Sequence, residues 1–561
     1  MGAEELDTLL GDPWDPQNPA GHAAALAADE RAEMFAEGER RLDRYGLNAE
    51  FVPAAYGGRL TSADRLADVQ RTLWRLDPSL AAGYGFSSFI GWVNVWVAGT
   101  DDQRREAAGL LLGGGRIAAA FHELGHGNDL ASAEFAARRD AGRWLLTGRK
   151  EVVGNLRRAE AFVLFARTAD TAGSRSHSQF LISRAALPAG AVRDLPRAGS
   201  SGLRGLQLGG MELRDCPVLA GTLLGKEGEG LESAMRAFQI TRAVIPSFMT
   251  GPLDTALRAA IGFASGRRLY GATAADLPYV RSVIARAHAD LLAVDAVSTV
   301  VLRALHLSPA VSLYAPAAKY LTSRMALDAF EDLRSVLGAQ GYLREGPYAI
   351  FQKMARDAAS ATFIHISRSA CLAAMLPVLP RLARRSWLLS PPAARELFEP
   401  GGALPPLDPD RLSVGAPTED PVMGTLAAIG DGAGDRADGG PAARFAARFA
   451  AELRELRDAC LALPPRDITI GASPAAFALA DRYSVLLAAA SALALRDRFG
   501  DAELLGVLDR LAGRLGGASV LTDAERAGVE EQLYLAAAAR HRDRELFDLT
   551  ARRLPGQGGQ P

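Results

Sequence analysis

The feature that most constrains this chain is a hydrophobic period that changes twice along its length. From about residue 20 to 115 apolar residues recur at three and four, as in HAAALAADERAEMFAEGERRLDRYG, which ends at Gly46. TSADRLADVQRTLWRLDPSLA opens on a cap, Ser62 or Asp64, and stops near Pro78, and the glycine-rich GYGFSSFIGWVNVWVAG reads as a deeply packed helix. From 116 to 228 the pattern becomes short β-rich runs (RWLLTGRKEVVGN, AEAFVLFARTA, SQFLISRAAL, GLQLGGMELRDCPVLAG) divided by Gly, Asn, Asp and Ser, which predicts a small, mostly antiparallel β domain. From 229 to 383 four long helical segments return, beginning GLESAMRAFQITRAVIPSF, LPYVRSVIARAHADLL, PAAKYLTSRMALDAF and AIFQKMARDAASATFIHIS, and predict an antiparallel bundle. Pro and Gly then crowd the chain, and helical patterning resumes at about 442.

The expected fold is therefore mainly α with a central β domain. Its parts are an N-terminal helical domain (1–115), a middle β domain (116–228), a four-helix bundle (229–385), a linker (386–441) and a C-terminal helical extension (442–561). The net charge of −2 gives no basic field to attract nucleic acid or an anionic membrane surface. Cys216, Cys371 and Cys460 lie far apart without CxxC spacing, so neither a disulfide framework nor a cysteine zinc site is expected, and the compartment expected is the reducing cytoplasm. MGAEELDTLLGDPWDPQ lacks the apolar core of a signal peptide, and no run of 18 uninterrupted apolar residues suggests a transmembrane segment.

FHELGHGND (121–129) poses the chemical question. As a pattern, His122-Glu123-Leu124-Gly125-His126 is an HExxH zinc motif, which needs a helix to bring both histidines to one face. Gly125 inside the motif and Gly127-Asn128-Asp129 after it oppose a helix, so no metal is expected. The same glycines suit a turn whose backbone N–H groups face an anion or a ring system.

Several stretches carry a resemblance when taken in order: FVPAAYGG (51–58), DPSLAAGYG (77–85), GGGRIAAAFHELGHGNDL, GRWLLTGRKEVVGN, GLRGLQLGGMELRDC, FQITR (238–242), RRLYG (267–271) and GYLREGPYAIFQKMARDA (341–358). Over about residues 20 to 385 the chain resembles the acyl-CoA dehydrogenase family, and Glu-Leu-Gly-His-Gly is similar to the loop of the related acyl-CoA oxidases. That resemblance implies FAD wedged between the domains of a homodimer or homotetramer that shares its FAD sites. It also implies α,β-oxidation of an acyl thioester carried on CoA or on an acyl carrier protein.

Carried over, Phe121, His122, Gly125, Gly127 and Asn128 would lie against the flavin, as would Val152 and Gly154, with Asn128 also meeting substrate. Arg267 and Tyr270 would reach the FAD of a neighbouring subunit, Ser335, Gly338 and Ala339 would lie near its pyrophosphate, and Ser367 would also contact the cofactor. The departures are specific. His122 stands where the family has threonine, Val152-Val153-Gly154 lack the hydroxyl that meets flavin N5, and Pro278 replaces a flavin-contacting glutamine. The family's catalytic glutamate falls on His365, and the alternative glutamate of some members falls on Thr241. His365 is then the expected base, since neutral imidazole titrates in the useful range. Arg242 would keep it neutral, and Arg242 and Ile366 would meet substrate.

The resemblance leaves two alternatives: a flavin monooxygenase on the same scaffold, and a non-redox binding or assembly protein. A specialised, secondary-metabolic substrate is the expectation drawn from the missing glutamates. His177, in GSRSHSQF, reads as a loop histidine, and Ser200-Ser201-Gly202 is expected near a substrate entrance.

Overall fold

A computed structural model describes residues 2–171, 173–432 and 440–555, so part of the expected linker and the last six residues lie outside it. The N-terminal helices are α1 (Ala3–Leu10), α2 (His22–Glu30), α3 (Ala36–Tyr45), α4 (Ala63–Leu76), α5 (Pro78–Leu80), α6 (Ser87–Ala98) and α7 (Asp101–Leu112). Of the two candidate caps for α4, Ser62 is used: its hydroxyl accepts from the Arg65 N–H at 3.2 Å. A π-helical stretch, Ala81–Phe86, joins α5 to α6. Gly83 permits it, because a Cβ there would lie 2.2 Å from the Met34 methyl. Widened turns of this kind recur at functional sites, and this one delivers Phe86 and Ser87 to the cavity described below.

The strands are β1 (Ile117–Ala120), β2 (Ala136–Asp140), β3 (Arg143–Gly154), β4 (Ala161–Arg167), β5 (His177–Ser183), β6 (Arg193–Leu195), β7 (Leu208–Leu219) and β8 (Leu223–Leu224). They run in the order β6-β7-β3-β2-β4-β5-β8, with β1 on β4. Pairing is antiparallel except β1 with β4 and a single β2–β4 contact. Trp144, Leu146, Phe162, Leu164, Phe180 and Met211 fill the inner face. His177 is a correction: it is buried at the start of β5, stacked on Phe165 at 4.9 Å, with Nε2 2.9 Å from the Ala133 carbonyl.

The bundle comprises α8 (Gly230–Phe248), α9 (Thr250–Gly266), α10 (Pro278–Leu307), α11 (Val311–Leu337) and α12 (Ile350–Ala358); a two-residue hairpin, β9 (Arg268–Leu269) with β10 (Ala272–Thr273), follows α9. Two of the four expected segments are broken. The first divides at Met249, just after Pro246, which has no N–H to donate within the helix. The fourth stops at Ala358 and resumes as α13 (Arg368–Met375), which Ser367 caps. Between them Thr362, Ile364 and Ile366 are stiff β-branched residues with low helix propensity, and His365 adopts φ +70°.

The compositional reading of 386–441 as a linker is corrected where the structure describes it. After α14 (Leu379–Arg385), Trp387, Leu397 and Leu412 are buried, and α15 (Pro421–Gly430) lies inside the segment. The bundle supplies donors for backbone that forms no regular element: Arg236 binds the Pro409 carbonyl at 2.7 Å and Arg303 the Glu396 carbonyl at 2.7 Å. Asp420, fully buried, accepts from Tyr314 of α11 (2.7 Å), Tyr483 (2.8 Å) and Trp387 (3.0 Å), which bolts this segment to both neighbours. The final helices are α16 (Pro441–Leu461), α17 (Pro474–Ala494), α18 (Asp501–Leu515) and α19 (Asp523–Arg542). By length and composition α17 could cross a membrane, but it is mostly buried and packs against α10, α11 and α15.

Burial pushes the His22 imidazole down to about 3 and that of His288 to about 4. Unfolding restores their ordinary value of 6.5, so between about pH 6.5 and 4 the unfolded chain binds more protons. Stability is therefore expected to fall as the pH drops below 6.5, by about 2 kcal/mol per histidine at about pH 5. Urea unfolding of the wild type and of His288→Gln across that range checks this; equal slopes for the two would contradict it.

Candidate active site

Strand β1 ends against the loop that carries the HExxH pattern, and residues 122–128 form turns, not a helix. Glu123 is a structural bracket. Its carboxylate takes the Lys150 ammonium at 2.7 Å and the backbone N–H groups of Glu134 (2.8 Å) and Phe135 (3.0 Å). Lys150 also donates to the Phe121 carbonyl at 2.9 Å, tying β3 to the start of the loop. Burial alone would raise the Glu123 carboxyl, but Lys150 and the two N–H groups outweigh it and hold it below the usual range. The Lys150 ammonium is pushed by burial down to about 8.

With Glu123 so engaged, the exposed arc that follows is left as backbone. Gly127 takes φ +57°, and the N–H groups of Gly125 and Asn128 have no acceptor within the described residues. A turn of this shape offers donors to an anion or to the polar rim of a ring. His122 faces back to the Asn128 side chain, and burial followed by the Lys150 charge lowers its imidazole.

Beside this arc lies a cavity of about 420 Å³, a ligand-sized volume. One wall is the loop together with Val152, Val153 and Gly154, re-aimed by a bulge in β3 between Lys150 and Val153. The opposite wall is aromatic and aliphatic. Trp74 stacks on Phe248 at 5.4 Å, Phe86 meets Phe248 edge-on at 4.8 Å, and Ile245 and Met249 extend the surface. Leu203 completes it, held by its N–H to Asp357 Oδ1 at 2.7 Å.

His365 enters from the break between α12 and α13. Its Nε2 lies 2.6 Å from the Thr241 hydroxyl, and its ring meets Phe238 edge-on at 4.5 Å. The Arg242 guanidinium covers the same Phe238 ring at 5.1 Å. Lys319 reaches across to the Ala361 (3.1 Å) and Ile366 (2.7 Å) carbonyls, bracketing the loop that carries His365. Burial first, and then the charges of Arg242, His122 and Lys319, hold the His365 imidazole well below 6.5. Two tautomers satisfy the Thr241 contact. If Nε2–H donates to the Thr241 hydroxyl, whose own proton goes to the Phe238 carbonyl at 3.3 Å, Nδ1 keeps a free lone pair.

Phe121, His122, Gly127, Asn128, Val152, Gly154 and His365 thus line one cavity. Gly125 belongs to the same loop, Ile366 adjoins His365 through Lys319, and Arg242 stands behind Phe238. Ser367 spends its hydroxyl on the Ala370 N–H as the cap of α13. Arg267, Tyr270, Ser335, Gly338 and Ala339 lie outside the cavity and are exposed, Tyr270 at 97%. The aromatic wall was not singled out from the sequence, because Trp74, Phe86 and Phe248 read there as ordinary core. Thr241 and His365, the two positions at which the resemblance implies a glutamate, touch one another.

Residues 228–365 match the family model described as acyl-CoA dehydrogenase, C-terminal domain. The probable acyl-CoA dehydrogenase FadE25 of Mycobacterium tuberculosis is 24% identical over 344 residues, covering 60% of this chain and 86% of that protein. The acyl-CoA dehydrogenase of Bacillus anthracis, solved in complex with FAD, superposes with a TM-score of 0.69 at 16% identity over 96% of this chain and 94% of that one. The prolyl acyl carrier protein oxidase AnaB superposes with a TM-score of 0.58 at 20% identity over 66% of this chain and 95% of that one. The C-terminal helices thus have counterparts in the first structure and lie beyond the span of the second. With the order of helices, sheet and bundle, these matches show the acyl-CoA dehydrogenase fold, and residues 228–365 are similar to that family's C-terminal domain.

Proposed function

We propose that this protein oxidises an acyl thioester at Cα–Cβ with FAD seated in the cavity between the glycine turn and His365. The carrying observation is that the turn, the end of β3 and His365 converge on that one space. The residues fit the cofactor: a mostly apolar slot suits a planar ring, and the free N–H groups of Gly125 and Asn128 suit its polar rim. When bound, FAD supplies the acceptor for the β-hydrogen, which leaves as hydride. The protein residues do the rest. His365, kept neutral by burial and by Arg242, takes the α-proton on the nitrogen that Thr241 leaves free. The aromatic wall excludes water and holds the acyl chain, and the Arg242 charge, acting on His365 from behind Phe238, disfavours a proton on the base before substrate arrives. The exposed Arg267, Tyr270 and Gly338 suit contact with a second copy, as shared FAD sites would require. Resemblance to a carrier-protein oxidase supports a carrier-bound substrate as much as a CoA ester.

The test is direct. The purified protein is expected to be yellow and to lose its flavin absorbance when mixed anaerobically with acyl thioesters. A colourless protein that ignores added FAD would overturn the proposal. A second reading, monooxygenation, is favoured by His122 and His365 facing the same cavity. It requires that flavin reduction depend on an external reductant and that turnover depend on oxygen.

A further inference from the structure

The break between α12 and α13 carries His365 but has few ties to the rest of the protein. Its backbone bonds are local: the N–H groups of Phe363 and Ile364 both go to the Ser360 carbonyl, at 3.1 and 2.9 Å. Among the described residues, the backbone of 361–366 is hydrogen-bonded to a distant element by one side chain. Lys319 of α11 donates to the Ala361 carbonyl at 3.1 Å and to the Ile366 carbonyl at 2.7 Å, so it grips both ends of the loop. One turn further along α11, Ser323 receives Arg368 on its hydroxyl (3.1 Å) and its carbonyl (2.7 Å), which docks the start of α13 on the same helix. Lys319 is buried and does not line the cavity, so it acts on the site from behind the loop.

The loop needs such a hold. His365 takes φ +70°, a region that a residue other than glycine keeps only where its surroundings impose it. Hydrogen bonds from an ammonium are about twice as strong as neutral ones. With the carbonyls of Ala361 and Ile366 pinned, the four residues between them follow a fixed course that turns the imidazole toward Thr241 and the cavity. The Thr241 hydroxyl donates to the Phe238 carbonyl at 3.3 Å, which leaves its oxygen to accept from Nε2 at 2.6 Å. A loop shift of about 1 Å would take that contact out of hydrogen-bond range.

We infer that Lys319 is a positioning residue for the reaction: by holding both ends of the loop from α11, it fixes where the His365 imidazole stands and which of its nitrogens faces the cavity. Its part in turnover rests on the reading of His365 as the base, whereas the placement exists before any thioester binds. Charge adds a second effect. His365 is faced by Arg242 on α8, His122 on the glycine turn and Lys319 on α11, and after burial their charges hold its imidazole below 6.5. Lys319 is itself faced by Arg242, Arg368 and the Cys371 thiol, and burial pushes it down to about 8. It therefore keeps its proton, and its grip on both carbonyls, at neutral pH.

The test compares wild type with Lys319→Met, which keeps the length of the side chain and removes both donors. Lys319→Gln, neutral and one bond shorter, serves if the methionine variant does not fold. Steady-state kinetics on the flavin-loaded protein are expected to show kcat lowered about ten- to a hundredfold, the cost of a base misplaced by about 1 Å. KM is expected within about twofold of wild type, with flavin retained, because the cavity walls are unchanged. NMR of protein labelled at the histidine ring nitrogens, with His365→Gln to assign the signal, reads the placement without any turnover. Wild type is expected to hold one tautomer, with the proton on Nε2, and to stay neutral as the pH falls through 6.5. The variant is expected to show both tautomers and to titrate closer to 6.5. A kcat within about twofold of wild type in a folded variant overturns the inference. So does a loss of kcat with the single tautomer retained, because the imidazole has then not moved. If wild type oxidises no thioester, the proposed function fails, and the NMR signal alone decides whether Lys319 places His365.

Discussion

His365→Ala is expected to lower kcat about a hundred- to ten-thousandfold, the range that removal of a positioned general base produces, while the flavin remains bound. The side chain reaches the cavity from a loop, its partners are Thr241 and Phe238, and the turn and β3 end on the far side are untouched by the change. The pH profile carries its own signature. A base must be unprotonated to act, and His365 is held well below 6.5, mainly by burial and next by Arg242. The acid limb of kcat/KM, which reports the free enzyme, is therefore expected well below pH 6.5, where an ordinary histidine would already have lost activity. Near-normal turnover by His365→Ala, or an acid limb centred at 6.5, would contradict this account. Thr241→Ser should retain more activity than Thr241→Val, because the serine hydroxyl can hold the same ring nitrogen.

Lys353→Met is expected to destabilise the folded protein by about 3–5 kcal/mol, the cost of leaving buried carboxylates without their cation. That is a large part of the stability of an ordinary domain. Lys353 is completely buried, 2.7 Å from Asp77, 2.5 Å from Asp357 and 3.7 Å from Asp29, and so joins α12 to the N-terminal helices. Asp357 in turn holds Leu203 on the cavity wall. Burial opposes the charge on Lys353, but the three carboxylates outweigh it and hold its pKa above the ordinary 10.5. Its contribution is then complete below about pH 10 and lost only as the pH rises further. Urea unfolding near neutrality checks the magnitude. The double variant Lys353→Met, Asp357→Asn should recover part of the loss, and a single variant within about 1 kcal/mol of wild type would refute the role.

Much of the architecture follows from periodicity. Alternating β runs gave way to three- and four-residue spacing at the places where strand gives way to helix, because burial on one face imposes the same period on sequence and structure. The glycines of the HExxH stretch told against a helix for a reason the structure repeats: Gly127 sits in the left-handed region and Glu123 is committed to Lys150. What stayed hidden was long-range. Residues 386–432 look like a linker because Pro and Gly suppress local structure, yet donors from distant helices, Arg236, Arg303 and Tyr314, pin them down. The break that presents His365 is faintly written in Thr362, Ile364 and Ile366, which a helical pattern can absorb.

The measurement that bears most directly on the central claim is a crystal structure of the flavin-loaded protein with an unreactive thioester analogue. The isoalloxazine is expected between residues 152–154 and the acyl chain, with the glycine turn at its rim and an imidazole nitrogen of His365 about 3–3.5 Å from Cα. A ring bound elsewhere, or a Cα that His365 cannot approach, would contradict the account.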